Sequence, residues 1–167
     1  SPLIVDGKLA YTIAVGEKGR SIAKIDVHGQ AAHAGQPWLG DNAIQKLAEV
    51  VTRICSYTPQ IDTSLVFFEQ IAKLLELEEP ITQENLDDIA NALLATQKDL
   101  SSTLLALSRM TMSATVISGG TKSNSIPDAA SLTCDIRTLP NQSEAYVEEK
   151  IRMVIDNLQA VSYTHLR

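Results

Sequence analysis

The sequence reads Gly29-Gln30-Ala31-Ala32-His33-Ala34-Gly35-Gln36-Pro37 and continues, through Trp38-Leu39-Gly40-Asp41, into Asn42-Ala43-Ile44. The segment before it, Ala23 to His28, alternates apolar and polar residues, which is typical of a strand with one buried face. The segment after it, from about Asn42 to Ser56, repeats apolar residues at helical spacing. His33 is therefore predicted in an ordered loop between a strand and a helix, a position that often carries function. Alternatively, His33 only hydrogen-bonds the backbone of its own loop.

A second block of small and polar residues follows much later in the chain. It reads Gly119-Gly120-Thr121-Lys122-Ser123-Asn124-Ser125-Ile126-Pro127-Asp128, and Cys134-Asp135-Ile136-Arg137-Thr138-Leu139-Pro140 comes after it. On the residues alone, Asn124 is a turn residue before Pro127. Arg137 lies on the non-core face of an alternating strand, where a surface ion pair with Asp135 or a glutamate accounts for it.

Together the two blocks resemble the lid, or dimerisation, domain of the aminoacylase-like dizinc peptidases. That family includes acetylornithine deacetylase, succinyl-diaminopimelate desuccinylase, carboxypeptidase G and the tripeptidases. The first block is similar to Gly-x-Ala-Ala-His-Ala-Gly-x-Pro followed by Gly-x-Asn-Ala-Ile, and the second to the family's Gly-Gly, Asn-x-Ile-Pro and Asp-x-Arg signature. The resemblance covers roughly Gly16 to Ser56 and Met110 to Leu158.

The resemblance implies a part of a zinc-dependent metallopeptidase or amide hydrolase that acts on peptides or N-acyl amino acids. In the family, the lid-domain histidine of one subunit reaches the active site of its partner and helps to bind the scissile carbonyl oxygen. His33 matches that catalytic residue, where a donor aimed at the developing oxyanion stabilises the tetrahedral intermediate. Asn124 and Arg137 match the residues thought to hold the substrate's carboxylate, for which an arginine fork is well suited.

The metal-binding residues of such an enzyme are not found in this sequence. A dizinc hydrolase needs clustered His, Asp and Glu ligands. The chain has three histidines, none of them in a His-x-Asp motif, and its Glu78-Glu79 pair lies in a charged stretch. We therefore expect the two zinc ions in a catalytic domain of the same chain that is absent here, and expect this fragment to be inactive alone.

The order of predicted elements is that of a ferredoxin-like α+β sandwich, an antiparallel sheet with helices on one face. We expect this sheet to lack its last strand. A first strand over residues 9–15 is predicted to form a hairpin with the strand at 21–28. Asn141 is predicted to cap the last helix, with Glu144 as the acid of a capping box.

Residues 60–110 read as a helical insertion in which Thr82 caps the central helix. Its apolar faces pack on each other and on the sheet, or it extends the dimer contact or shapes the substrate entrance. We assign residues 1–160 to one lid or dimerisation domain. Residues 161–167 depart from the helix pattern and resemble translated sequencing-adapter sequence, so we expect a non-native tail on a fragment of a longer protein.

Composition narrows the classes of partner. A net charge of −6 and 4% aromatic residues argue against a nucleic-acid surface, and no apolar run approaches the ~18 residues of a membrane span. Cys55 and Cys134 are expected to be reduced core residues. Together with the dimer that the resemblance implies, we therefore expect a cytoplasmic homodimer that contacts neither nucleic acid nor membrane. The alternative is a non-catalytic ferredoxin-like module for small-molecule binding or dimerisation.

Overall fold

The computed structural model describes residues 2–5, 8–11, 17–156, 158 and 161–166. Its strands and helices follow one another as β1 (Pro2–Val5), β2 (Lys8–Tyr11), β3 (Gly19–His28), β4 (Ala32–His33), α1 (Ala43–Cys55), α2 (Val66–Leu74), α3 (Leu86–Leu93), α4 (Lys98–Ser108), β5 (Thr111–Gly119), β6 (Ser125–Ile126), β7 (Ala129–Thr138), α5 (Glu144–Ile155) and β8 (Val161–Leu166). Two compact units result. The sheet unit comprises Gly19–Thr58 and Thr111–Arg167, and the helical unit comprises Ser1–Lys18 and Pro59–Met110.

The sheet unit is built on a four-stranded antiparallel sheet with the strand order β5-β7-β3-β8. Helix α1 packs against β3, β5, β7 and α5. The inward residues of the two central strands and of both helices are buried, because the strands alternate with a period of two and the helices carry one apolar stripe. These core residues include Ala23, Ile25, Val27, Leu132, Cys134, Ile136, Leu47, Val50, Ile54, Val147 and Ile151. The predicted ferredoxin-like sandwich is confirmed.

The expectation that the sheet lacks its last strand is wrong. Strand β8 pairs antiparallel with β3, from Ile22 opposite Leu166 to Val27 opposite Val161. Val161 and Tyr163 are half-buried while Ser162 and Thr164 are exposed, which is the alternation of a strand with one packed face. The β-branched and aromatic residues of this segment favour a strand, and the departure from helical spacing is the sequence signal for it.

Three local predictions are also corrected. Strand β3 is paired with β7 and β8 along its two edges, and β2 pairs with β1, so the hairpin predicted between residues 9–15 and 21–28 is wrong; residues 12–16 lie outside the described residues. Ser143, not Asn141, is the N-cap of α5, and its hydroxyl accepts from the Tyr146 amide at 3.3 Å. Helix α3 begins after Asn85 rather than after Thr82.

The helical unit has its own apolar core. Helices α2, α3 and α4 surround it, and its buried members are Phe68, Ile71, Ala72, Ile81, Leu86, Leu100 and Leu104. The Ser101 hydroxyl donates to the Ala90 carbonyl at 2.7 Å and joins α4 to α3. Lys18 donates to the Ala106 and Arg109 carbonyls at 2.7 and 2.8 Å. A positive charge at this C-terminal end of α4 stabilises the helix through its dipole. No described helix is long and apolar enough to cross a membrane.

The two cysteines occupy different environments. Cys134 is fully buried in β7, and burial raises the pKa of its thiol to about 11. Cys55, the last residue of α1, is exposed, and both thiols are free. The core position predicted for Cys134 is confirmed. That predicted for Cys55 is wrong, because Cys55 lies off the buried stripe that Leu47, Val50 and Ile54 form on α1.

Candidate functional site

The loop between β3 and α1, which we call the site loop (residues 29–42), is closed at its base by backbone hydrogen bonds. Gln30 and Asp41 exchange two of them, at 2.8 and 2.9 Å, and the Gly29 amide donates to the Asp128 carbonyl at 2.8 Å. A Cβ on Gly29 would lie 2.0 Å from the Asp41 carbonyl oxygen, so only glycine fits there. Asn42 begins α1 by accepting from the Ile44 amide at 2.9 Å, as a helix N-cap does.

The site loop and the second sequence block meet in a small two-stranded sheet. Strand β4 pairs antiparallel with β6, so that Ala32 lies opposite Ile126 and His33 opposite Ser125. The Ala34 amide donates to the Asn124 carbonyl at 2.9 Å. Two motifs that are about ninety residues apart in the sequence therefore form one continuous surface.

His33 is exposed, and one of its ring nitrogens is engaged. Nδ1 accepts from the Gly35 amide at 3.0 Å, and the His33 carbonyl accepts from the Gln36 amide at 2.9 Å. A neutral imidazole whose Nδ1 is an acceptor carries its proton on Nε2. The local hydrogen bond that we considered as the alternative role of His33 is thus present, and it leaves Nε2 as a hydrogen-bond donor.

Asn124 occupies a turn with Ser123, directly before β6, and is exposed. The turn follows Gly120, whose φ of +75° favours glycine. The backbone of Asn124 is held by the site loop through its carbonyl. This backbone hydrogen bond places Asn124 directly beside the strand that carries His33.

Arg137 lies at the opposite end of β7. It is eight residues beyond Ala129, which at 3.3 Å per residue is about 26 Å along the strand. Its Nε donates to Asp135 Oδ1 at 2.6 Å, and Arg20 Nε donates to Oδ2 of the same carboxylate at 2.9 Å. Hydrogen bonds from Arg137 and then Arg20 lower the pKa of Asp135. The structure brings His33 and Asn124 together and leaves Arg137 apart.

Two neighbours of these residues were missed by the sequence analysis. Trp38, in the short 3-10 helix Pro37–Leu39, is 75% exposed within the site loop; a tryptophan among small and polar residues was the available signal. Arg20 was missed because its place beside Arg137 depends on the register of β3 against β7, which sequence spacing does not reveal.

The described residues do not fit a metal centre. Among them, no group of three or more His, Cys, Asp and Glu side chains is placed to hold an ion. His28 and His33 are both exposed and lie in different strands. The groups that these residues offer are the exposed imidazole of His33 and amide of Asn124, which can donate hydrogen bonds, and the guanidinium groups of Arg20 and Arg137 at the far end of the sheet.

Comparison with known proteins shows the family. Residues 15–161 match the peptidase dimerisation domain. The chain is 30% identical over 145 residues to a Staphylococcus aureus (strain MRSA252) protein named "Probable succinyl-diaminopimelate desuccinylase", covering 86% of this chain and 31% of that protein. A protein of the same name from strain Mu50 is 28% identical over 160 residues, covering 95% and 36%.

A solved structure agrees in fold. The crystal structure of an aminobenzoyl-glutamate utilization protein from Klebsiella pneumoniae superimposes with a TM-score of 0.52 at 18% identity, covering 89% of this chain and 28% of that one. The present chain spans about a third of the length of the curated relatives that it matches. The chain belongs to the peptidase dimerisation domain family, whose members are parts of hydrolases.

Proposed function

We propose that this chain is the lid and dimerisation domain of a zinc-dependent peptidase or amide hydrolase acting on peptides or N-acyl amino acids. His33 serves the active site of the partner subunit, and Asn124 and Arg137 bind the substrate's carboxylate. The observation that carries the proposal is the hydrogen bond from Ala34 to Asn124, which joins the two motif blocks beside an exposed histidine. The relatives named desuccinylases support amide hydrolysis of an N-acyl substrate.

His33 acts as a hydrogen-bond donor. The Gly35 amide occupies Nδ1, so Nε2–H is the atom directed at the scissile carbonyl oxygen. Donation there stabilises the negative charge that develops in the tetrahedral intermediate, an effect worth about 2.7–4 kcal/mol when such a donor is removed from other enzymes. The exposure of His33 supports a target outside its own domain.

Asn124 and Arg137 contact one carboxylate only if they come from different subunits. Asn124 precedes the start of β7 in the chain, and Ala129 at that start is about 26 Å from Arg137 along the strand, which exceeds the reach of the two side chains. Asn124 therefore acts together with His33, and Arg137 of the other subunit completes the same site. Each dimer then has two composite sites, each with residues from both lids.

The homodimer forms through the β5 edge of the sheet. Strand β5 is an end strand in the order of the four-stranded sheet, and Val116 and Ile117 on it are 58% and 61% exposed. An edge strand with exposed apolar residues is a surface for pairing with another chain. The β5 strand of a second copy, related by two-fold symmetry, would pair with the free backbone N–H and C=O groups of this edge, as expected of a dimerisation domain.

The remaining assignments follow from the same proposal. The two zinc ions that the family resemblance implies would be bound by a catalytic domain of the same enzyme. Residues 60–110 are an insertion into the lid, and residues 161–167 are a non-native tail, of which Val161–Leu166 forms β8. Two free cysteines fit a reducing cytoplasm.

Subunit complementation tests the proposal. In the full-length enzyme, His33→Ala is expected to lower kcat about 100-fold or more without loss of metal. Mixing it with a variant that lacks a metal ligand of the catalytic domain should restore about a quarter of wild-type activity, because half of the dimers are mixed and each has one complete site. An unchanged kcat, as a non-catalytic module would give, refutes the role of His33; failure to restore activity refutes its action across the dimer.

A further inference from the structure

Two arginines face each other on the exposed side of the sheet. Arg20 in β3 lies directly opposite Arg137 in β7, and their side chains are 58% and 46% exposed. Like charges in directly opposite positions destabilise a strand pair. On β5, the residue opposite Arg137 is Thr111, which carries no charge. The pair is therefore stable only with an anion close to both guanidinium groups.

One carboxylate bridges the two guanidinium groups. Asp135 accepts from Arg20 Nε at 2.9 Å and from Arg137 Nε at 2.6 Å. A longer contact of 3.4 Å joins Arg137 Nη2 to the same carboxylate. The cluster therefore combines two positive charges with one negative charge, and its net charge of +1 suits an anion.

The geometry leaves room for a second carboxylate. A guanidinium group has five N–H donors in one plane, and the contacts with Asp135 engage Nε of Arg20 and Nε with one terminal nitrogen of Arg137. We infer that Arg20 and Arg137 form one two-arginine carboxylate site, in which Asp135 is a positioning residue that holds both guanidinium groups. This inference rests on the proposed function, in which Arg137 binds the substrate's carboxylate, and it adds Arg20 and Asp135 to that site.

Calorimetric titration of the full-length enzyme tests the inference by measuring its affinity for a carboxylate ligand. The metal is removed beforehand so that the ligand is not hydrolysed. The probes are N-acetyl-L-alanine and its uncharged twin N-acetyl-L-alaninamide. Arg20→Gln is expected to weaken binding of the acid about 10-fold, the loss of one hydrogen bond to a charged group, and to leave the amide unchanged. Arg20→Lys should be intermediate, because it keeps the charge and loses the fork.

The matched control is Lys24→Gln. Lys24 is another cation of β3, where it pairs with Asp26 at 2.7 Å. It lies on the same face as Arg20 because the two are four positions apart, an even number, along the strand. Lys24→Gln changes the net charge by the same amount as Arg20→Gln. If both variants lost the same affinity for the acid, the loss would reflect net charge alone and would overturn the inference.

Arg137→Gln separates the inference from the proposed function. Weaker acid binding in Arg137→Gln with no change in Arg20→Gln would leave the role of Arg137 standing and remove Arg20 from the site. No change in either variant, or no preference of the wild-type enzyme for the acid, would overturn both. Asp135→Asn removes a negative charge, which by itself favours an anion, yet positioning predicts weaker binding of the acid. Tighter binding would refute the positioning role.

Discussion

Replacing Gly29 with alanine tests whether the backbone at the base of the site loop holds the site together. The added Cβ would lie 2.0 Å from the Asp41 carbonyl oxygen and 3.0 Å from the Ala43 nitrogen. Both neighbours are backbone atoms, so the clash is relieved only by moving the loop. The bonds at risk are the Gln30–Asp41 pair and the donations from Gly29 and Ala43 to Asp128 and Pro127. At about 1 kcal/mol each, loss of two to four predicts a destabilisation of about 2–4 kcal/mol.

The single tryptophan makes the assay local. Trp38 is the only tryptophan and lies within the site loop, so its fluorescence reports the loop while circular dichroism reports the whole chain. In urea, Gly29→Ala should lower the midpoint of the fluorescence transition at least as much as that of the dichroism transition.

Gly35→Ala is the matched control for this substitution. Its added Cβ meets only the His33 ring, at 3.1 Å, and a side chain can move aside. We expect a change within about 1 kcal/mol. Equal midpoints for the two glycine variants would refute the reasoning, since the same added methyl group would then have the same effect against backbone and against side chain.

Three further predictions concern the interface, the thiols and the helical core. Ile117→Lys should raise the dimer dissociation constant about 1,000-fold in analytical ultracentrifugation, because each of the two copies loses about 2 kcal/mol of apolar burial. Met153→Lys, at a residue of α5 that is 56% exposed, should leave the constant unchanged. A dimer that survives Ile117→Lys contradicts the proposed edge. At pH 8 a disulfide reagent should modify Cys55 quickly and Cys134 only on unfolding, because burial raises the pKa of Cys134 to about 11; two fast thiols would contradict this. Phe68→Ala should lower stability by about 3–5 kcal/mol by chemical denaturation, and a loss below about 1 kcal/mol would show that the cluster is loosely packed.

The sequence predicted those features of the fold that depend on local periodicity. Alternation predicted β3 and β7, and helical spacing predicted α1, because burial of one face requires those patterns. The prediction named Asn141 as the cap of α5, whereas the structure has Ser143. Both residue types can cap a helix, and only the docking of the helix selects between them. Strand β8 was missed because residues 161–167 resemble translated adapter sequence, and the alternation of apolar and polar residues within them was not used.

The candidate site was only partly predictable for a related reason. His33, Asn124 and Arg137 were selected by motif resemblance, and their roles stay predictions. Their spatial relations depend on non-local pairing: β4 with β6 unites His33 with Asn124, and the register of β3 with β7 places Arg20 opposite Arg137. Register is set by the packing of whole faces, so no spacing rule within one segment reveals it.

If the proposed roles of these residues hold, their positions on one sheet make substrate binding depend on assembly of the dimer. Strand β7 is a central strand, with the His33–Asn124 surface near its start and Arg137 near its end. Residues about 26 Å apart along a strand cannot serve one small substrate in a monomer. In the proposed dimer, a two-fold axis beside the β5 edge would bring the start of one β7 and the end of the other toward a shared site. Dissociation of the dimer would then remove His33 and Asn124 from a site that keeps its own Arg137. Loss of kcat would exceed loss of carboxylate affinity, and this order of effects distinguishes an assembly requirement from simple unfolding, which removes both together.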